Sequence, residues 1–196
     1  DLARQTWAVP PSAGKYASAI TPGPQGTITA LSPSPRNINV IWAGTDDGQL
    51  QVTMNGGAKW SNVTPPQIKP WTRIFNMDAG HFDMLTAYAA ANTLRLDDMN
   101  PHLWRTHDGG KSWQRADLPG LPEFARIHQI TASPTDANVA YAACNFFFAG
   151  DYAPCLYKTT DGGAHWASIS ANLPVRGSTW TIGADDVDPD LLFVGT

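Results

Sequence analysis

Three tryptophans, Trp60, Trp113 and Trp166, stand 53 positions apart, and each closes the same eight-residue segment. The segments read Thr53-Met-Asn-Gly-Gly-Ala-Lys-Trp60, Thr106-His-Asp-Gly-Gly-Lys-Ser-Trp113 and Thr159-Thr-Asp-Gly-Gly-Ala-His-Trp166. They align without a gap, and Leu50, Leu103 and Leu156 fall in register upstream of them. A repeat of this length means stacked supersecondary units, each burying its apolar face against its neighbours.

Within each copy the apolar residues follow the period of strands. Alternating or β-branched runs occur at 27–31, 40–43 and 50–53, at 86–90 and 103–106, and at 126–132, 139–143 and 156–159. Clusters of Pro, Asn and Asp at 32–37 and 133–138 separate the first two strands of a copy, and Asp47-Gly48 has the composition of a two-residue hairpin turn. The eight-residue segment then joins the third strand to a fourth led by its tryptophan. Four short antiparallel strands per repeat make a propeller blade, so the expected fold is all-β: a β-propeller with three full blades and a fourth cut off at Thr196. The blades are expected at about 28–66, 73–118, 126–174 and 179–196, with residues 1–27 a linker or the end of a preceding blade. Four to eight blades usually close a ring, so the chain is expected to complete its ring with further blades or a protein partner.

Composition agrees with strands. The 17 acidic residues include one glutamate, Glu123, whereas there are 17 glycines and 16 prolines. A net charge of −4 argues against nucleic acid or an anionic membrane surface as partner, and no run of about 18 apolar residues is present to form a transmembrane segment.

The repeated segment has a local structural logic. The Asp108 or Asp161 carboxylate can accept hydrogen bonds from its own turn, and Asn55 can do so without charge. Gly-Gly supplies positive φ, Thr53, Thr106 or Thr159 ties the other side of the turn, and Trp60, Trp113 or Trp166 covers it. These residues are scaffolding rather than catalytic candidates. The pattern Ser/Thr-x-Asp-x-Gly-x-x-Trp resembles the Asp-box, or BNR repeat, of sialidases, xyloglucanase-type glycoside hydrolases and the sortilin ectodomain. With Val40-Ile-Trp-Ala-Gly-Thr-Asp-Asp-Gly-Gln-Leu-Gln-Val-Thr53 and Asp190-Leu-Leu-Phe-Val-Gly-Thr196, the chain is most similar to large, often secreted bacterial proteins called sortilin-like or BNR-repeat glycosyl hydrolases. That likeness implies a propeller and an extracellular or periplasmic location. It leaves activity open, because enzymes and non-enzymes share the box.

The likeness puts the boxes on the face opposite the usual ligand mouth, so candidate ligand residues belong to the loops joining strands two and three and to the loops between blades. The former are expanded at 92–102 and 145–154, which singles out Arg95, Asp97, Asp98, Phe147, Asp151 and Tyr152. Arg73 and Arg126, also 53 apart, open the first strands of successive blades and could converge on a carboxylate; the alternative is pairing with Asp97 or Asp98. Asp97, Asp98 and Asp151 could also face one another across adjacent loops, but no matched acid pair for glycoside hydrolysis stands out, and no catalytic residue is assigned. No His/Cys spacing suggests a metal, and no cofactor motif occurs. Cys144 and Cys155 flank the Phe-rich loop, and in a secreted setting a disulfide contributing about 2–3 kcal/mol is expected there. These features suggest a non-catalytic module binding protein or polysaccharide; the alternative is part of a glycoside hydrolase whose catalytic residues lie partly elsewhere.

Overall fold

The computed structural model describes residues 26–196, so the expectation for residues 1–27 falls almost wholly outside the described residues. The first blade is the meander β1 (Ile28–Pro33), β2 (Ile41–Thr45), β3 (Leu50–Thr53) and β4 (Trp60–Asn62). The second is β5 (Arg73–Ala79), β6 (Ala87–Thr93), β7 (Asp98–Thr106) and β8 (Gln114–Ala116). The third is β9 (Arg126–Ala132), β10 (Ala140–Phe146), β11 (Asp151–Thr159) and β12 (Ala167–Ser168). A fourth sheet pairs β13 (Thr181–Ala184) with β14 (Leu192–Gly195). All pairings are antiparallel. The architecture is a β-propeller, with three four-stranded blades and a two-stranded fourth sheet in this chain.

The middle strands explain why the blades stack. In β6 (Ala-Tyr-Ala-Ala-Ala-Asn-Thr), Ala87, Ala89 and Ala91 join the core against the first blade, and Tyr88 and Ala90 join the core against the third. β10 repeats this, with Ala140, Ala142 and Cys144 on one side and Tyr141 and Ala143 on the other. A strand covered on both faces reads as continuously apolar, and its small side chains let neighbouring sheets approach closely. Large residues fill the space between: Trp42 is fully buried, with Trp113 edge-on at 5.9 Å between ring centroids.

The first strands of successive blades pack together around the axis and are clamped by polar side chains. Asn76 on β5 accepts the Ile130 N–H of β9 at 2.8 Å, and Gln129 on β9 accepts the Ile182 N–H of β13 at 3.1 Å. Asp78 accepts the Ala132 N–H at 2.7 Å, Ser32 accepts the Ala79 N–H at 2.9 Å, and the Thr29 hydroxyl donates to the Ile74 carbonyl. An inner strand has no neighbour within its own sheet on that side, so these side chains satisfy its outward backbone groups.

Each box closes as one turn. Thr106 Oγ1 donates to Asp108 Oδ1 at 2.9 Å and accepts the Gly110 N–H, while Asp108 Oδ1 accepts the Ser112 N–H at 2.9 Å. Thr159 and Asp161 make the same set with Gly163 and His165, and Asn55 keeps it with Thr53 and Lys59. The second glycine also sets blade spacing. Gly110 has φ +83°, and a Cβ there would lie 2.6 Å from Val63 of the preceding blade. Trp113 and Trp166 are buried, Trp113 donating to the Val63 carbonyl at 2.8 Å, whereas Trp60 is half-buried.

Cys144 and Cys155, where a disulfide was expected, are directly opposite in register and stand as free thiols in this structure. Thr179 lies across the pair, its hydroxyl accepting the Cys155 N–H and within hydrogen-bond reach of the Cys144 and Cys155 carbonyls, to either of which its one proton can be donated. Burial, then Cys155, raises the Cys144 pKa well above the usual thiol range, so the reactive thiolate is suppressed.

Candidate functional site

In a four-stranded meander, the turns joining strands two and three share a face with the inter-blade loops, opposite the boxes. The segments at 92–102 and 145–154 prove to be extended hairpins rather than open loops. β6 and β7 stay paired as far as Thr93 and Asp98, and β10 and β11 as far as Phe146 and Asp151. Each hairpin closes through a three-residue 3-10 turn, ended by left-handed Asp97 (φ +57°) in one and Gly150 (φ +75°) in the other.

This geometry uses up several predicted residues locally. Asp98 Oδ1 accepts the Asn100 N–H at 3.0 Å, and Asp151 Oδ1 accepts the Ala153 N–H at 2.9 Å. Asp98 also lies 2.9 Å from His102 Nε2. Burial acts to raise the Asp98 pKa, but the Asn100 backbone and side chain, Thr93 and His102 hold it at about 2. Asp97 ends its turn, with no side-chain partner among the described residues. Arg95 reaches the first blade, 3.4 Å from Asp46 Oδ2, and lies 5.6 Å from the Trp71 ring centroid. The Asp98 and Asp151 carboxylates are thus each tied to their own hairpin rather than brought against one another.

Arg73 and Arg126 behave differently. They open β5 and β9 on the hairpin-tip face, and neither has an ion-pair partner among the described residues. Burial, then the nearby Arg73 charge, lowers the Arg126 pKa from its usual value, although a guanidinium remains charged at any working pH. Arg126 lies over Phe148, 3.5 Å from its centroid, beside a cavity of about 250 Å³ lined in part by Asn92, Met99, Phe124 and Arg126.

Aromatic rings continue outward from Phe148. Phe147 packs against Phe148 at 5.6 Å, Tyr152 at 5.8 Å and Trp180 at 6.0 Å, and Trp180 lies 4.4 Å from His128. Phe147, Phe148, Tyr152 and Trp180 are each exposed by 42–57%, although they contact one another. Arg176, also exposed, lies 5.9 Å from the Tyr152 ring. His128 has a lowered pKa, from burial first and Arg126 second, so it is neutral near pH 7 and adds no competing charge. The result is an exposed basic and aromatic surface on a protein of net charge −4. Guanidiniums on aromatic faces can bind carboxylates bidentately while rings accept apolar groups.

Sequence reasoning missed Trp71, Phe124, His128 and Trp180. Trp71 (φ +70°) and Phe124 (φ +67°) are 53 apart in left-handed conformation, where Gly177 follows another 53 residues on. Their N–H groups donate to carbonyls of the preceding hairpin, Asp47 for Trp71 and Met99 for Phe124. Holding an aromatic residue in this region costs about 1–3 kcal/mol, a feature that concentrates at functional sites. The shared spacing of two aromatic residues was the available signal. Among the described residues no group of three or more His, Cys, Asp or Glu could hold a metal, and no helix is long and apolar enough to cross a membrane.

The fold is shared with several solved propellers. A GH74 xyloglucanase from Xanthomonas campestris superposes with a TM-score of 0.59 at 17% identity, over 80% of this chain and 24% of that one. YCF48 bound to a D1 peptide matches with a TM-score of 0.54 at 23% identity, over 73% of this chain and 40% of that one. The Cps50 (Swd1) propeller of Myceliophteria thermophila gives 0.57 at 16% identity, over 88% of this chain and 49% of that one. This chain therefore spans less than half the length of each. No curated protein matches the sequence. The family model Sortilin-Vps10 (sortilin, neurotensin receptor 3) matches residues 48–195, three-quarters of the chain and all three boxes, and the protein belongs to that family.

Proposed function

We propose that the chain is a non-catalytic peptide-binding part of a larger propeller, taking an acidic, aromatic-containing segment across its hairpin-tip face. The observation carrying this reading is the Arg126 guanidinium on the Phe148 ring, with Arg73 nearby and neither cation neutralised by an acid among the described residues. Aromatic rings and arginines are the residue types that dominate binding energy at protein interfaces. YCF48, solved with a D1 peptide, supports peptide binding on this fold by analogy only. The GH74 likeness likewise reaches only the fold. A hydrolase reading would need two carboxylates across a cleft, and Asp98 and Asp151 are each tied to their own hairpin.

The test is titration with a Glu/Tyr copolymer peptide, a Lys/Tyr copolymer and xyloglucan. The acidic peptide should bind, and the double variant Arg73→Gln/Arg126→Gln should weaken it by about 10- to 100-fold, as two charge-assisted hydrogen bonds are lost. Equal binding of the acidic and basic copolymers would contradict the proposal, as would turnover of xyloglucan.

A further inference from the structure

A separate cleft of about 450 Å³ opens between the segment that joins the first two blades and the second blade, lined by Gln67–Lys69 and Thr72 of that segment and by the β6–β7 hairpin from its closing turn to Trp104. Its walls are Ile68, Leu96, Trp104 and Trp113, and its rim carries Lys69 and Arg115. Inside are polar groups that blade packing does not require. Thr72 is 2% exposed, and its hydroxyl has no hydrogen-bond partner. His102 is 9% exposed, with Nε2 2.9 Å from both Asp98 Oδ2 and Thr93 Oγ1.

A carboxylate can only accept, so Nε2–H donates to Asp98, which leaves His102 Nδ1 as an acceptor with no partner among the described residues. Burial first, and Arg115 second, lower the His102 pKa, so the ring is neutral and Asp98 remains the cleft's single anion. Asp98 is already committed to His102 and Asn100. Arg115 makes only a loose, exposed contact with Asp117, at 3.6 Å. Two rim cations therefore face one spent acid.

The repeat provides an internal control. Fifty-three residues on, Thr72, Thr93, His102 and Arg115 become Ala125, Phe146, Cys155 and Ser168. Between the second and third blades, Phe146, Cys155 and Tyr157 join the apolar core instead. The same scaffold thus packs without these polar groups, and a buried hydroxyl left without a partner costs about 1–3 kcal/mol.

We propose that this cleft binds a small organic carboxylate, with its anion at Arg115, Lys69 and the Thr72 hydroxyl and its apolar body against Ile68, Leu96 and the two indoles. The volume lies within the usual range for small-ligand pockets, about 300–1,000 Å³. The site is distinct from the Arg73–Arg126 surface.

The probe is 3-phenylpropionate, with 3-phenylpropanol as its uncharged counterpart, followed by NMR at the indole N–H signals of Trp104 and Trp113. The acid should shift these signals saturably and bind about tenfold more tightly than the alcohol. Arg115→Gln should weaken it about tenfold, and Arg126→Gln should leave it unchanged. Thr72→Val should weaken binding several-fold while leaving the melting temperature unchanged or raised, because it removes a hydroxyl with no partner. The proposal is overturned by any of three results: no saturable shift up to about 10 mM acid; equal affinity for acid and alcohol; or a Thr72→Val protein that melts earlier and binds normally.

Discussion

Replacing Asn76 with alanine isolates one inter-blade clamp. Asn76 Oδ1 accepts the Ile130 N–H at 2.8 Å, and Ile130 is 1% exposed, so water cannot replace the lost acceptor without opening the inner strands. The substitution removes a hydrogen bond worth about 1 kcal/mol net and strands a buried donor whose desolvation costs about 1–3 kcal/mol. Part of this is returned because the amide itself no longer has to be desolvated, so the expected loss is about 2 kcal/mol. With a urea m-value of about 1–3 kcal/mol per M, the unfolding midpoint should fall by roughly 1 M. Asn92→Ala, at a half-buried position on the neighbouring strand β6, serves as control and should stay within about 0.5 kcal/mol. The Ile130 amide should also exchange faster in Asn76→Ala than in the control. A midpoint matching the control's, with Ile130 exchange unchanged, would refute the clamp as a source of stability.

Two further perturbations test the turns. Gly110 and Gly150 have similar positive φ, +83° and +75°, but a Cβ at Gly150 meets nothing within 4 Å, whereas one at Gly110 meets Val63. Both alanine variants should pay about 1–2 kcal/mol for the left-handed backbone, and Gly110→Ala should lose about 1–3 kcal/mol more in denaturant unfolding. Asp108 is held at about 2 by the Ser112 hydroxyl first and then the Ser112 N–H. A lowered folded-state pKa contributes stability above the ordinary value near 3.8 and loses it as pH falls towards 2. Urea midpoints should therefore drop between about pH 4 and pH 2, and drop less steeply in Asp108→Asn, which reproduces the uncharged Asn55 turn.

The blades were legible because the box requires specific residues at fixed places and its 53-residue spacing fixes the repeat. Alternation then located the strands around each box. The inner clamps were not legible: Asn76 and Gln129 look like ordinary exposed strand positions until neighbouring blades are placed beside them. The hairpins at 92–102 and 145–154 read as loops because their closing residues, Leu94–Leu96 and Phe147–Ala149, give no period-2 signal where the ladder continues beneath them. Trp71 and Phe124 run against local backbone preference, so propensity could not reveal their left-handed conformation. The arginine spacing was visible, whereas the stack from Arg126 through Phe148 and Phe147 to Trp180 joins residues up to 54 positions apart and exists only in three dimensions. The cysteines show the same limit in reverse: sequence brought them opposite one another but could not reveal Thr179 across them.

The most direct test of the peptide-binding account is amide hydrogen exchange with and without the Glu/Tyr copolymer. The account predicts protection concentrated at Phe124–Arg126, in the Phe147–Tyr152 hairpin and around Trp180, with the box turns at Thr53–Trp60, Thr106–Trp113 and Thr159–Trp166 unchanged. Protection centred on the box turns, or none at saturating peptide, would contradict it.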